Sequence, residues 1–248
     1  MIGLQTYTIR TLLNDKKSCQ VAFEKVKQIG YECVQLSGSL SDLNMISDAA
    51  RNAGLKVIGF LGSIPDLDMG LSEILSFARD FEVDDIGISG CAETDEEARL
   101  LADKMNSYAR IIKQEGFSFS YHNHSHEFIR MPSGKTVMDI LLENIDFEYV
   151  KLMPDTYWLQ HGGVDVRYFL EKYAANIDIL HLKDMKRTRD GVTFAELGAG
   201  NINMPGVVAL ADKLGFRHLI VEQDICEGDV FESIDQSIKH LRKITQRR

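Results

Sequence analysis

The chain has 248 residues, of which 44% are hydrophobic and 26% are charged, and its formal net charge is −9. This composition is typical of a globular protein, and the negative charge disfavours a nucleic-acid partner because phosphate binding draws on clustered Lys and Arg. No apolar run approaches the roughly 20 residues that a membrane span needs, and the N-terminus lacks a signal-peptide pattern. We therefore expect a cytoplasmic protein with no membrane partner.

Short β-rich segments alternate with longer segments of helical periodicity along the chain. Several of the helical segments end in glycine directly before the next strand, which is the usual left-handed stop of a helix. The eight strand candidates are "IGLQTY" (2–7), "ECVQLS" (32–37), "KVIGFLG" (56–62), "DDIGISG" (84–90), "FSFSYHN" (117–123), "YVKLMPD" (149–155), "DILHLKD" (178–184) and "HLIVEQD" (218–224).

This alternation predicts parallel strands joined by right-handed crossovers. Eight such units in 248 residues fit an α/β fold of the closed (β/α)8 type, a TIM barrel, with residues 1–248 as a single domain. An open doubly wound sheet would usually carry a glycine-rich fingerprint after its first strand, and "QTYTIR" (5–10) has none. The sequence leaves the oligomeric state open, and a homo-oligomer remains compatible with it.

Side-chain parity assigns the polar strand residues to the barrel interior. In the fifth strand, Phe117, Phe119 and Tyr121 share an apolar face that must meet the helices, so His122 and His124 share the inward face. The same parity turns one polar residue inward at the end of each of the next three strands, namely Asp155, His181 and Glu222. On the first two strands it also turns Gln5, Tyr7, Gln35 and Ser37 inward.

Two imidazoles and two carboxylates are therefore expected to meet at the C-terminal mouth, where TIM-barrel enzymes carry their active sites. The four are His122, Asp155, His181 and Glu222. Each alone is more typical of a hydrogen-bonded structural residue. Their matching depth and parity instead favour a divalent-metal site. An HNH nuclease is excluded because that motif belongs to a ββα-metal unit and not to a barrel strand.

Several short motifs together resemble one known family over essentially the whole chain. In chain order they are "GLQTYTIR" (3–10), "YHNHSHEF" (121–128), "PDTYWLQHGG" (154–163), "LHLKDM" (180–185), "FAELGAGNINMP" (194–205) and "IVEQD" (220–224). Their order and spacing are similar to the xylose isomerase-like barrel superfamily, in its sugar phosphate isomerase/epimerase branch. Members of this branch include isomerases, epimerases, dehydratases and enzymes that act on 3-keto sugars, so the resemblance does not fix the substrate.

The resemblance implies one divalent ion, often manganese, held by Glu, Asp, His and Glu from strands five to eight. Asp155, His181 and Glu222 match the last three of these ligands, whereas His122 stands where many members have glutamate. The extra nitrogen donor shifts the expected preference from Mg²⁺ towards Mn²⁺, Fe²⁺, Co²⁺ or Zn²⁺. By the resemblance Mn²⁺ is the expected ion, and Mg²⁺ stays a candidate. Glu127 is the alternative fourth ligand.

By this resemblance we expect a sugar isomerase or epimerase that acts on a ketose or keto-sugar derivative through an enediolate. Glu222 would serve as ligand and base, Lys183 as an electrophile or hydroxyl donor, and Glu127 or His124 as the second acid/base group. A dehydratase or lyase at the same metal site is the first alternative. A non-catalytic sugar-binding barrel is the second, because the strand-five glutamate is missing. The expected substrate-binding residues are Gln5, Tyr7, Ser37, Trp158 and Asp184; for Trp158, packing under the loop is the competing interpretation.

Overall fold

The computed structural model describes residues 1–38 and 40–245. Within them, eight parallel strands form a barrel surrounded by helices, as the sequence predicts. The barrel strands are β1 (Ile2–Gln5), β2 (Cys33–Ser37), β3 (Lys56–Ser63), β4 (Asp85–Ser89), β5 (Ser118–His122), β6 (Val150–Met153), β7 (Ile179–Leu182) and β10 (His218–Val221).

Hydrogen-bonded ladders link these strands in the order β6-β5-β4-β3-β2-β1-β10-β7. The two ends of this sheet, β6 and β7, meet through isolated parallel bridges, Leu152 with Ile177 and Asp155 with His181. These bridges bring the sheet close to a full circle. The predicted TIM-barrel fold is thereby confirmed.

Helices follow the strands and cover the outside of the barrel. The predicted glycine stops are observed, since Gly30, Gly54, Gly116 and Gly215 take left-handed conformations with φ of 113°, 79°, 91° and 78°. The α-helices are α1 (Lys16–Ile29), α2 (Leu43–Asn52), α3 (Ile64–Asp80), α4 (Asp95–Gln114), α5 (Val137–Asn144), α6 (Thr156–His161), α7 (Val166–Lys172), α8 (Met204–Leu214) and α9 (Val230–Thr245). Short 3-10 helices span Thr6–Leu12, Leu40–Asp42, His126–Phe128 and Ala174–Asn176.

The strands separate two buried apolar layers. Outward-facing residues such as Phe119, Tyr121 and Leu180 pack in the large core shared with the helices. A small inner cluster fills the barrel interior and consists of Cys33, Ile58, Met153, Ile179 and Ile220. Outward and inward residues alternate along the strands as the sequence predicts. The same alternation turns the polar residues at the strand ends inward.

One β-hairpin was not predicted from the sequence. After β7 the chain forms β8 (Asp184–Arg187) and β9 (Val192–Ala195), which pair antiparallel beside the barrel mouth. The predicted seventh strand therefore ends at Leu182, and most of the other predicted strands are shortened by one or two residues at their ends. In the part of the chain that the structure describes, no helix is both long and apolar enough to cross a bilayer.

Candidate metal centre

Four buried side chains from consecutive strand ends meet inside the barrel mouth. His122 is the last residue of β5, His181 lies within β7, and Glu222 directly follows β10. Asp155 follows β6 and caps helix α6, because its Oδ1 accepts the backbone N–H of Trp158 at 3.0 Å. One possible ligand atom from each of the four lies within 4.8 Å of the others. The structure thus brings together the four residues that parity selected.

The chemistry of these residues fits a divalent ion. Nδ1 of His122 is buried and has no hydrogen-bond partner among the described residues, so a ring nitrogen remains available as a ligand. Nδ1 of His181 and Oε2 of Glu222 are 2.7 Å apart and form one edge of the group. Two imidazoles and two carboxylates suit Mn²⁺, Fe²⁺, Co²⁺ or Zn²⁺. Asp155, His181, Glu222 and His122 would hold such an ion.

Glu127 lies apart from this group, although it is fully buried. Its Oε1 accepts the hydroxyl of Tyr121 at 2.9 Å, and both carboxylate oxygens lie 3.0 Å from the backbone N–H of His124. These contacts hold the turn after β5. The geometry therefore favours His122 over Glu127 as the ligand from the fifth strand.

Lys183 is the main positive charge of the site and is almost completely buried, with 1% of its surface exposed. Its Nζ lies 2.7 Å from Oδ1 of Asp224, 3.2 Å from Oδ2 of Asp155 and 3.3 Å from Oε2 of Glu222. Burial alone would lower the pKa of Lys183, but the three carboxylates raise it above its ordinary value. The ammonium is therefore a permanent charge. Asp224 has the same strand parity as Glu222, which lies two residues before it, but the sequence assigns it no role.

The same contacts separate the pKa values of the two acidic residues. Burial raises the pKa of Asp155 to about 6, although Lys183 opposes this rise. Burial also acts on Glu222, but there Lys183 and the hydrogen bond with His181 outweigh it and hold the pKa below the ordinary value. Burial and the neighbouring His181 keep the pKa of His122 well below its ordinary value. A neutral imidazole and an ionised Glu222 are the states that bind metal.

A chain of buried glutamines supports His181 from the opposite side. The backbone N–H of Tyr7 donates to Oε1 of Gln5 at 3.2 Å, and Nε2 of Gln5 donates to Oε1 of Gln35 at 3.0 Å. Nε2 of His181 lies 2.7 Å from the same Gln35 oxygen. Gln5, which the sequence predicts to bind substrate, thus directs its amide into the protein. Gln35 was predicted to face inward, but its contact with His181 was not foreseen.

A cavity of about 460 Å³ opens above the four residues, a volume suited to a small ligand. Tyr7 and Ser37, which the sequence predicts to bind substrate, line it, and their contact with a substrate stays a prediction. Arg10, Asp66 and Asp224 also line it, and the sequence pattern had assigned them no role. Five further residues that the sequence predicts for the site also line the cavity, namely Gln5, His122, His124, Lys183 and Glu222.

His124 and Trp158 form an aromatic wall at this mouth. Their ring centroids are 5.3 Å apart, and Nζ of Lys183 lies 5.1 Å from the Trp158 ring. Phe194 of the unpredicted hairpin stacks on Tyr157 at 4.5 Å and meets Trp158 edge-on at 5.9 Å. Trp158 is therefore packed beneath the hairpin, and its contact with a substrate stays a prediction. Burial lowers the pKa of His124 to about 4, so its ring is neutral near pH 7.

Asp184 binds backbone N–H groups of the protein itself, in contrast to the substrate contact that the sequence predicts. It is fully buried, and its carboxylate accepts the backbone N–H groups of Met185, Gly198, Gly200 and Ile202 at 2.8–3.2 Å. Because both oxygens are used in this way, Asp184 organises the loop after the hairpin. Within the described ranges it is not part of the cavity wall, so the geometry gives no support to substrate binding by this carboxylate.

Comparisons with known proteins agree on the fold and diverge on the reaction. A family model described as the xylose isomerase-like TIM barrel matches residues 23–244. An inosose dehydratase from Clostridium beijerinckii is 26% identical over 170 residues, which are 61% of this chain and 56% of that protein. The chain thus spans little more than half the length of this curated relative.

Two solved structures are similar over nearly their whole length. A sugar phosphate isomerase/epimerase from Parabacteroides distasonis has a TM-score of 0.82 and 23% identity, covering 98% of this chain and 97% of that one. A 3-keto-D-glucoside 4-epimerase from E. coli, in its apo form, has a TM-score of 0.73 and 14% identity, covering 98% of each chain. At these identities the likeness shows the fold alone.

Proposed function

The chain belongs to the xylose isomerase-like TIM barrel family, and we propose that it is a divalent-metal-dependent isomerase or epimerase of a ketose or keto-sugar derivative. The observation that carries this proposal is the convergence of four buried donors, His122, Asp155, His181 and Glu222, beneath a ligand-sized cavity. Mn²⁺ is the proposed ion. A single domain over residues 1–248, a cytoplasmic location and any homo-oligomer stay predictions.

The proposed chemistry is proton transfer next to a carbonyl, through an enediolate. A bound divalent ion supplies Lewis-acid polarisation of neighbouring carbonyl and hydroxyl oxygens, which acidifies the C–H between them. Glu222 lines the cavity and offers a carboxylate that can accept that proton. The fixed charge of Lys183 at the same wall stabilises negative charge that develops on the substrate.

The second acid/base group follows from the position of two residues in the loop after β5. His124 lines the cavity, and its buried Nδ1 has no hydrogen-bond partner in the described part of the chain. Glu127 instead uses its oxygens on Tyr121 and on a backbone N–H. Of the two residues considered from the sequence, we therefore assign the second proton transfer to His124 and a supporting role to Glu127.

A dehydratase that acts on a keto sugar is the second candidate function. The similarity to inosose dehydratases over 61% of this chain favours it. Removal of a proton next to a carbonyl also begins elimination of a β-hydroxyl group, so Glu222 and His124 could serve either outcome. The fate of the substrate after proton removal separates the two functions.

One experiment tests both functions and the sugar-binding alternative. Metal-loaded protein is incubated in D2O with ketoses, inososes and 3-keto glycosides, and the products are followed by NMR. Deuterium incorporation with retention of all oxygens supports isomerisation or epimerisation, whereas loss of water supports the dehydratase. Tight binding without exchange or a new product supports a non-catalytic barrel and refutes the proposal. Glu222→Gln is the matched control, and we expect it to abolish exchange.

A further inference from the structure

The hydrogen-bond chain from Tyr7 to His181 has a fixed direction. It begins at the backbone N–H of Tyr7, which can only donate, so the Gln5 atom that faces it at 3.2 Å is the amide oxygen. The other end of that amide, Nε2, must therefore donate, and it does so to Gln35 at 3.0 Å. The orientation of Gln35 follows: its oxygen, and not its NH2 group, faces both Gln5 and His181.

This direction determines the position of the proton on His181. Because Gln35 presents an oxygen at 2.7 Å, Nε2 of His181 is the donor. The ring nitrogen of His181 that can give up its proton to bind a metal ion is therefore Nδ1. Nδ1 faces Oε2 of Glu222 at 2.7 Å, so a proton on Nδ1 can bridge the two atoms when no metal ion is bound, and a divalent ion that binds there displaces this proton to solvent.

Because the side chains of this hydrogen-bond chain are buried, water cannot replace their contacts. Gln5, Gln35 and His181 are each fully buried, so water does not compete for their amide and ring atoms. Nε2 of Gln35 donates to the sulfur of Met153 at 3.3 Å, which is a weak acceptor. A reversed amide would place two donors, Nε2 of Gln5 and Nε2 of Gln35, against each other. The chain therefore holds the proton on Nε2 of His181 in place.

We propose that Gln5 and Gln35 are positioning residues that impose the Nε2–H tautomer on His181 and so keep its Nδ1 free to bind a divalent ion. The inference rests on the metal site of the proposed function. Partners of metal-bound histidines generally fix the tautomer and ring orientation in this way, and their loss weakens metal affinity by about 10–100-fold. In this chain the effect passes through two neutral side chains.

Two variants that add the same charge test the inference, because it predicts different changes in their affinity for Mn²⁺. Gln5→Glu and Gln35→Glu each add one negative charge near the site, so charge attraction alone would tighten Mn²⁺ binding in both. In Gln35→Glu the new carboxylate still accepts from His181, and we expect Mn²⁺ affinity to be retained or increased. In Gln5→Glu the donor to Gln35 is lost, so the Gln35 amide reverses and the proton moves to Nδ1 of His181.

For Gln5→Glu we therefore expect Mn²⁺ affinity at pH 8, measured by calorimetry, to fall by at least about tenfold. Equal affinity in both variants, or tighter binding in both, would overturn the inference while leaving the proposed function intact. Failure of the wild type to bind Mn²⁺ would overturn the proposed function and the inference with it. Thermal melts by circular dichroism establish that each variant is folded.

The tautomer itself can be read without any variant. In Zn²⁺-loaded wild-type protein labelled with ¹⁵N-histidine, we expect the His181 signals to show a protonated Nε2 and an unprotonated, metal-bound Nδ1. A protonated Nδ1 in the Zn²⁺-loaded wild type would overturn the inference, even if Gln5→Glu failed to fold. In folded Gln5→Glu the two signals should exchange their characters.

Discussion

Replacement of Asp85 by asparagine should change how the stability of the barrel depends on pH. Asp85 is the first residue of β4 and is buried in the described structure, with 3% of its surface exposed. Its Oδ2 accepts the hydroxyl of Ser120 at 2.6 Å, while its buried Oδ1 has no hydrogen-bond partner among the described residues. Burial raises the pKa of Asp85 from 3.8 to about 7, and the bond from Ser120 only partly opposes this.

The direction of the pH effect follows from this raised pKa. An unfolded chain releases the proton near pH 3.8, whereas the folded protein keeps it until about pH 7. The contribution of Asp85 to stability is therefore fully present below about pH 4 and is lost as the pH rises to about 7. The difference between the two pKa values corresponds to a loss of roughly 4 kcal/mol, taken as an order of magnitude.

Urea unfolding of the wild type and Asp85→Asn at intervals between pH 4 and pH 8 measures this loss. We expect the free energy of unfolding of the wild type to fall relative to that of Asp85→Asn by several kcal/mol across the range. Asp178→Asn is the control. It removes a nearby, partly exposed charge that raises the pKa of Asp85, and it leaves the buried carboxyl of Asp85 in place. Parallel pH profiles for the wild type and Asp85→Asn would refute the reasoning.

Three further predictions concern the mouth of the barrel. His122→Ala should lose most of the bound metal in elemental analysis, whereas Glu127→Ala should keep it; equal metal content in the two variants would contradict the choice of ligand. Lys183→Met should abolish isotope exchange yet bind Mn²⁺ at least about tenfold more tightly, because a nearby unit charge contributes more than about 1.4 kcal/mol at a buried site; weaker binding in calorimetry would argue against this. Asp184→Ala should lower the free energy of unfolding by at least about 2 kcal/mol, because buried N–H groups lose their acceptor. Asp184→Asn, which keeps one oxygen, should lose less, and equal losses in urea unfolding would refute this account.

The sequence predicts the barrel and its inward face because both depend on strand periodicity. Alternation along β5 places His122 inside and Tyr121 outside, and the structure agrees. Parity fails as a guide beyond the strand end, where the chain turns through a 3-10 helix at His126–Phe128. For this reason the position of Glu127 could not be derived from the sequence, and the structure shows it bonded to Tyr121 instead.

The missed features depend on contacts between distant segments. The hairpin had one local signal, the Asp190-Gly191 dipeptide at its turn, which is typical of tight β-turns. No local signal connects Gln35 with His181, which lie 146 residues apart in the sequence. The sequence predicts that Asp184 binds substrate, but three of its four backbone partners lie in a loop whose path the sequence does not reveal.

An ion at the proposed site would also stabilise the junction between β6 and β7. Most neighbouring barrel strands pair along continuous ladders, but in the described ranges these two meet through isolated bridges alone, one of which pairs Asp155 with His181. His181 donates its backbone N–H to the carbonyl of Pro154 at 2.9 Å across this join. An ion bound by Asp155 and His181 would cross-link β6 and β7, where the barrel has few strand-to-strand hydrogen bonds. Metal loading should then slow amide hydrogen exchange in residues 150–155 and 177–182 more than in the β2–β3 ladder on another side of the barrel.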